Sequence, residues 1–153
     1  MRVFYAMLGL LLFAAACKKD QFTTKPQLKI TDVNKTELSR NEDLRFKILL
    51  TDKEGDFTTF FGYSKNVLSC PAGSFADSNK LHIPQEFIDA HLNEGDIVID
   101  LADVTLKGDN KCNSPGGGSV PKTDTAIFSF WTKDRAGNAS DTIHSGLIII
   151  HAN

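Results

Sequence analysis

Regular alternation of apolar and polar residues is the sequence feature that most limits how this chain can fold. Residues 44–51 read LRFKILLT, with an apolar side chain at every second position. Successive side chains of a strand point to opposite faces, so this period predicts a β-strand with one buried face. Looser versions of the pattern predict further strands at 28–33, 57–63, 97–106, 126–133 and 142–151. Such strands, in a chain of 153 residues, favour one domain of two packed antiparallel sheets with about seven strands.

Turn-forming residues separate these strands. The link 52–56 (DKEGD) predicts a hairpin between its two flanking strands, and 134–138 (DRAGN) predicts the turn between the last two. Residues 84–93 begin with proline, carry apolar residues on one face and are followed by a glycine, which predicts a short crossover helix. The glycine triplet within 107–123 has no preceding strand or following helix and is predicted to lie in a loop.

Two phrases of the sequence resemble bacterial immunoglobulin-like domains. FSFWTKDRAGNASDTIHSGLIIIHAN is similar to the last two strands of such domains, and RFKILLTDKEGDF is similar to their second and third strands. The resemblance implies an all-β, immunoglobulin-like antiparallel β-sandwich, which we place at 28–153. It implies no biochemical activity.

The N-terminal residues predict where in the cell the protein is located. The first sixteen residues, MRVFYAMLGLLLFAAA, contain one basic residue and then an apolar run. That run is shorter than the roughly 20 residues that span a bilayer, and it is typical of a secretion signal. Its end, AAAC, resembles the lipobox of bacterial lipoproteins. The resemblance implies cleavage after residue 16 and acylation of Cys17, with palmitate among the acyl groups. The alternative is an ordinary cleaved signal with an incidental cysteine.

Residues 17–27 are polar without periodicity, and we expect a lipidated flexible tether there. Lysine rather than aspartate follows Cys17, so the retention signal of inner-membrane lipoproteins is missing. We therefore expect an outer-membrane protein, anchored at the periplasmic face or the cell surface. Lipobox and immunoglobulin-like phrases together resemble small lipoproteins of Bacteroidota whose functions are largely unassigned.

Charge and motifs narrow the range of functions. Lysine plus arginine number 17 against 19 acidic residues, which disfavours nucleic-acid binding because that needs a basic face. Neither a histidine pair with zinc-ligand spacing nor a G-x-S-x-G motif occurs. We favour a non-enzymatic envelope module with a protein or glycan partner. The alternatives are an enzyme or inhibitor whose site is built from the loops 70–79 and 107–123, and a structural spacer.

Two turns supply oxygen-bearing side chains. Alternating strand directions place the links 52–56 and 134–138 at the same end of an immunoglobulin-like sandwich. Calcium prefers such hard oxygen ligands, so one hypothesis is a structural calcium, and the alternative is that these residues only form tight turns. The candidate ligands are Asp52, Glu54, Asp56, Asp134 and Asn138.

The two other cysteines, Cys70 and Cys112, fall in loops at the opposite end. In an oxidising compartment an even pair of thiols predicts a disulfide. A catalytic Cys70 is the alternative, although no histidine lies near it in the sequence.

Aromatic residues lie on both faces of two predicted strands. Alternation separates Phe60 from Phe57 and Phe61, and Trp131 from Phe130. One set must fill the core. Phe60 and Trp131 are then candidates for an exposed aromatic surface that binds sugars or partner side chains, unless the helix or long loops cover them.

Overall fold

A computed structural model describes residues 23–39, 42–68, 74–102 and 123–151. These residues form nine strands and one short helix. The elements are β1 (Gln27–Val33), β2 (Glu37–Leu38), β3 (Leu44–Thr51), β4 (Phe57–Val67), β5 (Phe75–His82), α1 (Gln85–Asp89), β6 (Glu94–Leu101), β7 (Asp124–Asp134), β8 (Ile143–His144) and β9 (Ile148–Ile150).

The strands form two sheets, one with the order β1-β3-β6 and the other with the order β2-β9-β7-β4-β5, in which β8 also pairs with β7. Every pairing is antiparallel except that of β2 with β9. The three-stranded order corresponds to strands A, B and E of the immunoglobulin fold, and the larger sheet corresponds to A′, G, F, C and C′. The predicted immunoglobulin-like β-sandwich is confirmed.

The core lies between the inner faces of the two sheets. In β3 the apolar residues at alternate positions are buried, whereas Arg45 and Lys47 between them are exposed, as the sequence period predicts. The ring of Phe46 meets those of Phe128 and Phe130 on the opposite sheet, with centroids 5.5 and 5.0 Å apart. These tilted and edge-on contacts are favourable aromatic geometries.

The predicted hairpin between β3 and β4 is wrong. The two strands belong to different sheets: β3 pairs with β1 and β6, whereas β4 pairs with β5 and β7. Both strands bury one face in the same core, so the link between them must cross from one sheet to the other at the end of the sandwich. This crossing carries Asp52 into the space between the sheets, where its exposed fraction is 0%.

The crossover helix is confirmed in a shorter form. Helix α1 connects β5 of the larger sheet to β6 of the smaller one. It ends at Asp89, and His91 already has a positive φ of 47°. Strand β5 was not predicted, because its sequence, FADSNKLH, lacks a clear apolar period. The predicted last strand is divided into β8 and β9, between which the hydroxyl group of Ser145 donates to the carbonyl oxygen of Gly146.

The segment that precedes β1 contacts the sandwich. The backbone N–H of Lys53 donates to the carbonyl oxygen of Thr23, Lys25 forms an ion pair with Asp141, and Pro26 is buried. The chain therefore enters the sandwich at the end that holds the link 52–56. In the described part of the chain no helix has the length and apolar character of a membrane-spanning segment.

Candidate functional site

Two acidic turns meet at the end of the sandwich where the chain enters. The backbone N–H of Arg135 donates to the carbonyl oxygen of Asp56 over 2.9 Å, and Phe57 lies opposite Asp134 in the β4–β7 pair. Asp52, Asp56 and Asp134, which we call the acidic cluster, each place a carboxylate oxygen within 4.8 Å of those of the other two. The structure thus brings together the carboxylates of three of the five residues that the sequence suggested as ligands, and a fourth, Asn138, forms hydrogen bonds with Asp134.

Asp52 has the most unusual environment in the cluster. It is buried, and among the described residues no hydrogen-bond donor reaches either of its carboxylate oxygens. Burial raises the pKa of Asp52 to about 6, and the neighbouring carboxyl groups of Asp56 and Glu54 contribute to the rise. The backbone N–H of Asp56 partly offsets this rise in pKa, although its distance and angle to the Asp52 carboxylate are not those of a hydrogen bond. An ionised carboxylate in this position lacks the partners that normally offset its loss of water.

Asp134 is held firmly by the turn that follows it. The backbone N–H of Asn138 donates to Oδ1 of Asp134, and the Asn138 side-chain amide donates to Oδ2, each over 2.7 Å. Gly137 has a φ of 90°, which favours glycine and lets the turn close. Asn138 therefore orients Asp134 through its amide nitrogen. Glu54 is exposed and lies outside the cluster.

The link 52–56 is also fixed from the side of β6. The backbone N–H of Asp52 donates to the carbonyl oxygen of Asn93 over 2.9 Å, and the Asn93 side chain donates to the carbonyl oxygen of Lys53. Gly55, with a φ of 62°, packs so closely that a Cβ there would lie 2.9 Å from the carbonyl oxygens of His91 and Leu92. The cluster is consequently attached to both sheets.

The outer face of the larger sheet carries the aromatic residues that the sequence singled out. Phe60 and Trp131 are both half-buried. The indole lies directly over Gly62, where a Cβ would come within 2.2 Å of it, and the Lys133 Nζ lies 5.6 Å from the centre of the Phe60 ring. We call Phe60, Gly62, Trp131 and Lys133 the aromatic patch.

Polar side chains continue this outer face. Ser129, two residues from Trp131 on β7, lies 2.8 Å from Nδ1 of His144. Sequence analysis did not select these two residues or Gly62. A glycine inside a strand is a recognised sign of close approach, and Gly62 carried this signal.

The predicted disulfide and lipid anchor concern residues outside the described ranges. Cys17, Cys70 and Cys112 all lie there, as do residues 70–73 and 107–122 of the two loops proposed for an enzymatic site. The expectation that 70–79 is a loop is wrong for residues 75–79, which belong to strand β5. The described flanks of the segments 69–73 and 103–122 are at the end of the sandwich opposite to the acidic cluster, since Leu44 pairs with Leu101 there.

Comparison with known proteins assigns no family. No protein-family model and no curated protein matches the chain. The adhesin SrpA from Streptococcus sanguinis is similar in structure, with 17% identity and a TM-score of 0.44 over 88% of this chain and 61% of the adhesin. A β-glucosidase from Listeria innocua, crystallised with gluconolactone, has 8% identity and a TM-score of 0.42 over 84% of this chain and 16% of the enzyme. The sporulation control protein Spo0M from Bacillus subtilis has 9% identity and a TM-score of 0.41 over 84% of this chain and 50% of its own.

The chain thus spans 61% or less of these three proteins. At such TM-scores the similarity assigns neither a family nor a function.

Proposed function

We propose that the protein is a lipid-anchored module of the bacterial outer membrane that binds a glycan, without catalysis, through the outer face of its larger sheet. The aromatic patch is the observation that carries this proposal. Aromatic rings bind the apolar faces of sugar rings, and polar groups beside them satisfy the hydroxyl groups.

The patch has the parts that such binding requires. Gly62 leaves room for the Trp131 indole to lie against the sheet, and Lys133 flanks the neighbouring ring. His144, which is exposed and paired with the buried hydroxyl group of Ser129, offers a hydrogen-bonding group on the same face. Because these residues lie on paired strands of one sheet, the surface is preformed and costs little conformational entropy to order.

The anchor rests on the lipobox-like sequence that ends at Cys17. Two or more acyl chains on this cysteine give stable membrane attachment. Mass spectrometry of the N-terminal peptide from membranes is expected to find a diacylated or triacylated Cys17. An uncut chain with a free Cys17 thiol would contradict the proposed address.

The binding proposal is tested with the full chain in detergent on an array of bacterial envelope and host glycans. Trp131 is the sole tryptophan in the sequence, so its fluorescence reports directly on occupation of the patch. Trp131→Ala is expected to weaken binding at least tenfold, whereas Val98→Ala, at a 55% exposed site on the smaller sheet, leaves it unchanged. Circular dichroism melts of both variants verify that the fold is retained.

Three results would point elsewhere. Glycan binding that Trp131→Ala does not weaken would place the site off the patch. Capture of one specific protein from the native envelope, with no glycan bound, would favour a protein partner. The absence of both would favour a structural spacer.

A further inference from the structure

The acidic cluster has properties that glycan binding by the aromatic patch does not require. Three carboxyl groups converge at one end of the sandwich with their oxygens at most 4.8 Å apart. The charged neighbours that act on Asp52 are Asp56 and Glu54, and both are acidic. Convergent carboxylates repel one another unless a proton or a cation lies between them.

Asp52 gives independent support for a ligand at this position. Its exposed fraction is 0%, and neither carboxylate oxygen has a hydrogen-bond partner within the described residues. Buried polar groups are nearly always satisfied, and an unsatisfied one calls for an explanation such as a bound ion. One oxygen of Asp52 points toward those of Asp56 and Asp134, because it belongs to the group that lies within 4.8 Å.

The dimensions of the cluster fit calcium. Two oxygens bound to one ion at Ca–O distances of about 2.3 to 2.6 Å lie at most about 4.6 to 5.2 Å apart. The carboxylate oxygens of the three residues all lie within 4.8 Å of one another, which is close enough for one ion to be bound among them. Magnesium demands near-ideal octahedral geometry and gives up its water ligands reluctantly, so three protein carboxylates suit it less well than calcium.

Hydrogen bonds around the acidic cluster hold its carboxylates in place before an ion binds. Asn138 fixes both oxygens of Asp134 and leaves each of them a free lone pair. The link that carries Asp52 and Asp56 is attached to Asn93 on one side and to Arg135 on the other. Little ordering therefore remains for the ion to impose.

We propose that Asp52, Asp56 and Asp134 bind one calcium ion that joins the two sheets at the end where the chain enters. Asp52 and Asp56 come from the link between β3 and β4, and Asp134 ends β7. Asn138 acts as a positioning residue that holds Asp134. Water molecules complete the six to eight oxygen ligands that calcium takes.

The test uses the full chain in detergent, first stripped with a chelator. Thermal unfolding is followed with chelator, with calcium, and with magnesium at equal ionic strength. At a hundredfold excess over its dissociation constant, calcium is expected to raise the melting temperature by roughly 5 to 10 °C. Magnesium is expected to raise it less.

The variants separate a bound ion from general screening of charge. Asp52→Asn and Asp134→Asn are expected to lose the calcium response, whereas Asp32→Asn, at an exposed position on β1, keeps it. Terbium provides a second readout, because Trp131 lies three residues before Asp134 on the same strand and sensitises its luminescence. Excess calcium should displace terbium from the wild type.

Specific results would overturn the proposal. The proposal is wrong if the wild type melts at the same temperature with chelator and with calcium, or if Asp52→Asn keeps the full calcium response. A metal-stripped wild type that does not respond to calcium, together with an Asp52→Asn variant that melts at the same temperature, would instead show that a proton shared with Asp56 neutralises Asp52. None of these results depends on Trp131-mediated glycan binding.

Discussion

Replacement of Asp52 by asparagine is expected to stabilise the metal-free protein at neutral pH. Asparagine has nearly the same shape as aspartate but carries no charge, so it removes the cost of a buried carboxylate without leaving a cavity. The size of the effect follows from the pKa, which is raised from 3.8 to about 6 in the folded chain. At 1.36 kcal/mol for each pKa unit, this difference corresponds to about 3 kcal/mol.

The sign of the pH dependence follows from proton linkage. The folded state binds the proton of Asp52 more tightly than the unfolded state, so stability from this group is fully present below pH 3.8. It is lost as the pH rises toward the folded-state pKa of about 6. The chelated wild type should therefore lose about 2 kcal/mol between pH 4 and 7 relative to Asp52→Asn.

The assay is urea unfolding at several pH values with chelator present throughout. The difference between the wild type and Asp52→Asn is compared with the difference between the wild type and Asp32→Asn, which makes the same chemical change at an exposed site. Parallel stability curves for the wild type and Asp52→Asn would refute the reasoning, because they would mean that Asp52 is ionised in the fold at no cost.

Three further predictions concern the core, the patch and the loops. Phe46→Ala removes the ring between Phe128 and Phe130, and we expect a loss of about 3 to 5 kcal/mol in urea unfolding. Gly62→Val forces the Trp131 indole off the sheet, which should shift tryptophan emission to longer wavelength, and an unchanged spectrum would contradict the described contact. A thiol assay on the unreduced, unfolded mature chain is expected to find Cys70 and Cys112 unreactive, and two reactive thiols would exclude the disulfide.

The sequence predicted strands correctly where one face of the strand is buried. It did not predict which strands pair, because pairing depends on residues that are far apart in the sequence. The period of LRFKILLT identified β3 because the opposite sheet covers only one face of this strand. The same period could not tell which strands pair, and a five-residue link suits a hairpin as well as a crossing between sheets. Strand β5 lies at the edge of its sheet, where half of the usual neighbours are missing and the apolar period is weak.

The acidic cluster was partly accessible from sequence. Turn residues and strand directions brought Asp52, Asp56 and Asp134 together in prediction as in the structure. The burial of Asp52 was not accessible, since it depends on the link crossing between the sheets rather than turning back on one of them. The contrast between exposed Glu54 and buried Asp52, two residues apart, arises from the same crossing.

The position of the cluster connects the two proposals. Thr23 contacts Lys53 beside the cluster, and it lies six positions after Cys17 in the sequence. A chain of this length spans at most about 20 Å. If Cys17 carries lipid, the acidic end therefore lies close to the membrane surface, whereas the described residues that flank the segments with Cys70 and Cys112 lie at the opposite end. A pulling force on a bound partner would then be transmitted to the lipid on Cys17 through the end of the sandwich that holds the acidic cluster. A cation bound by the acidic cluster would hold the two sheets together where this force acts.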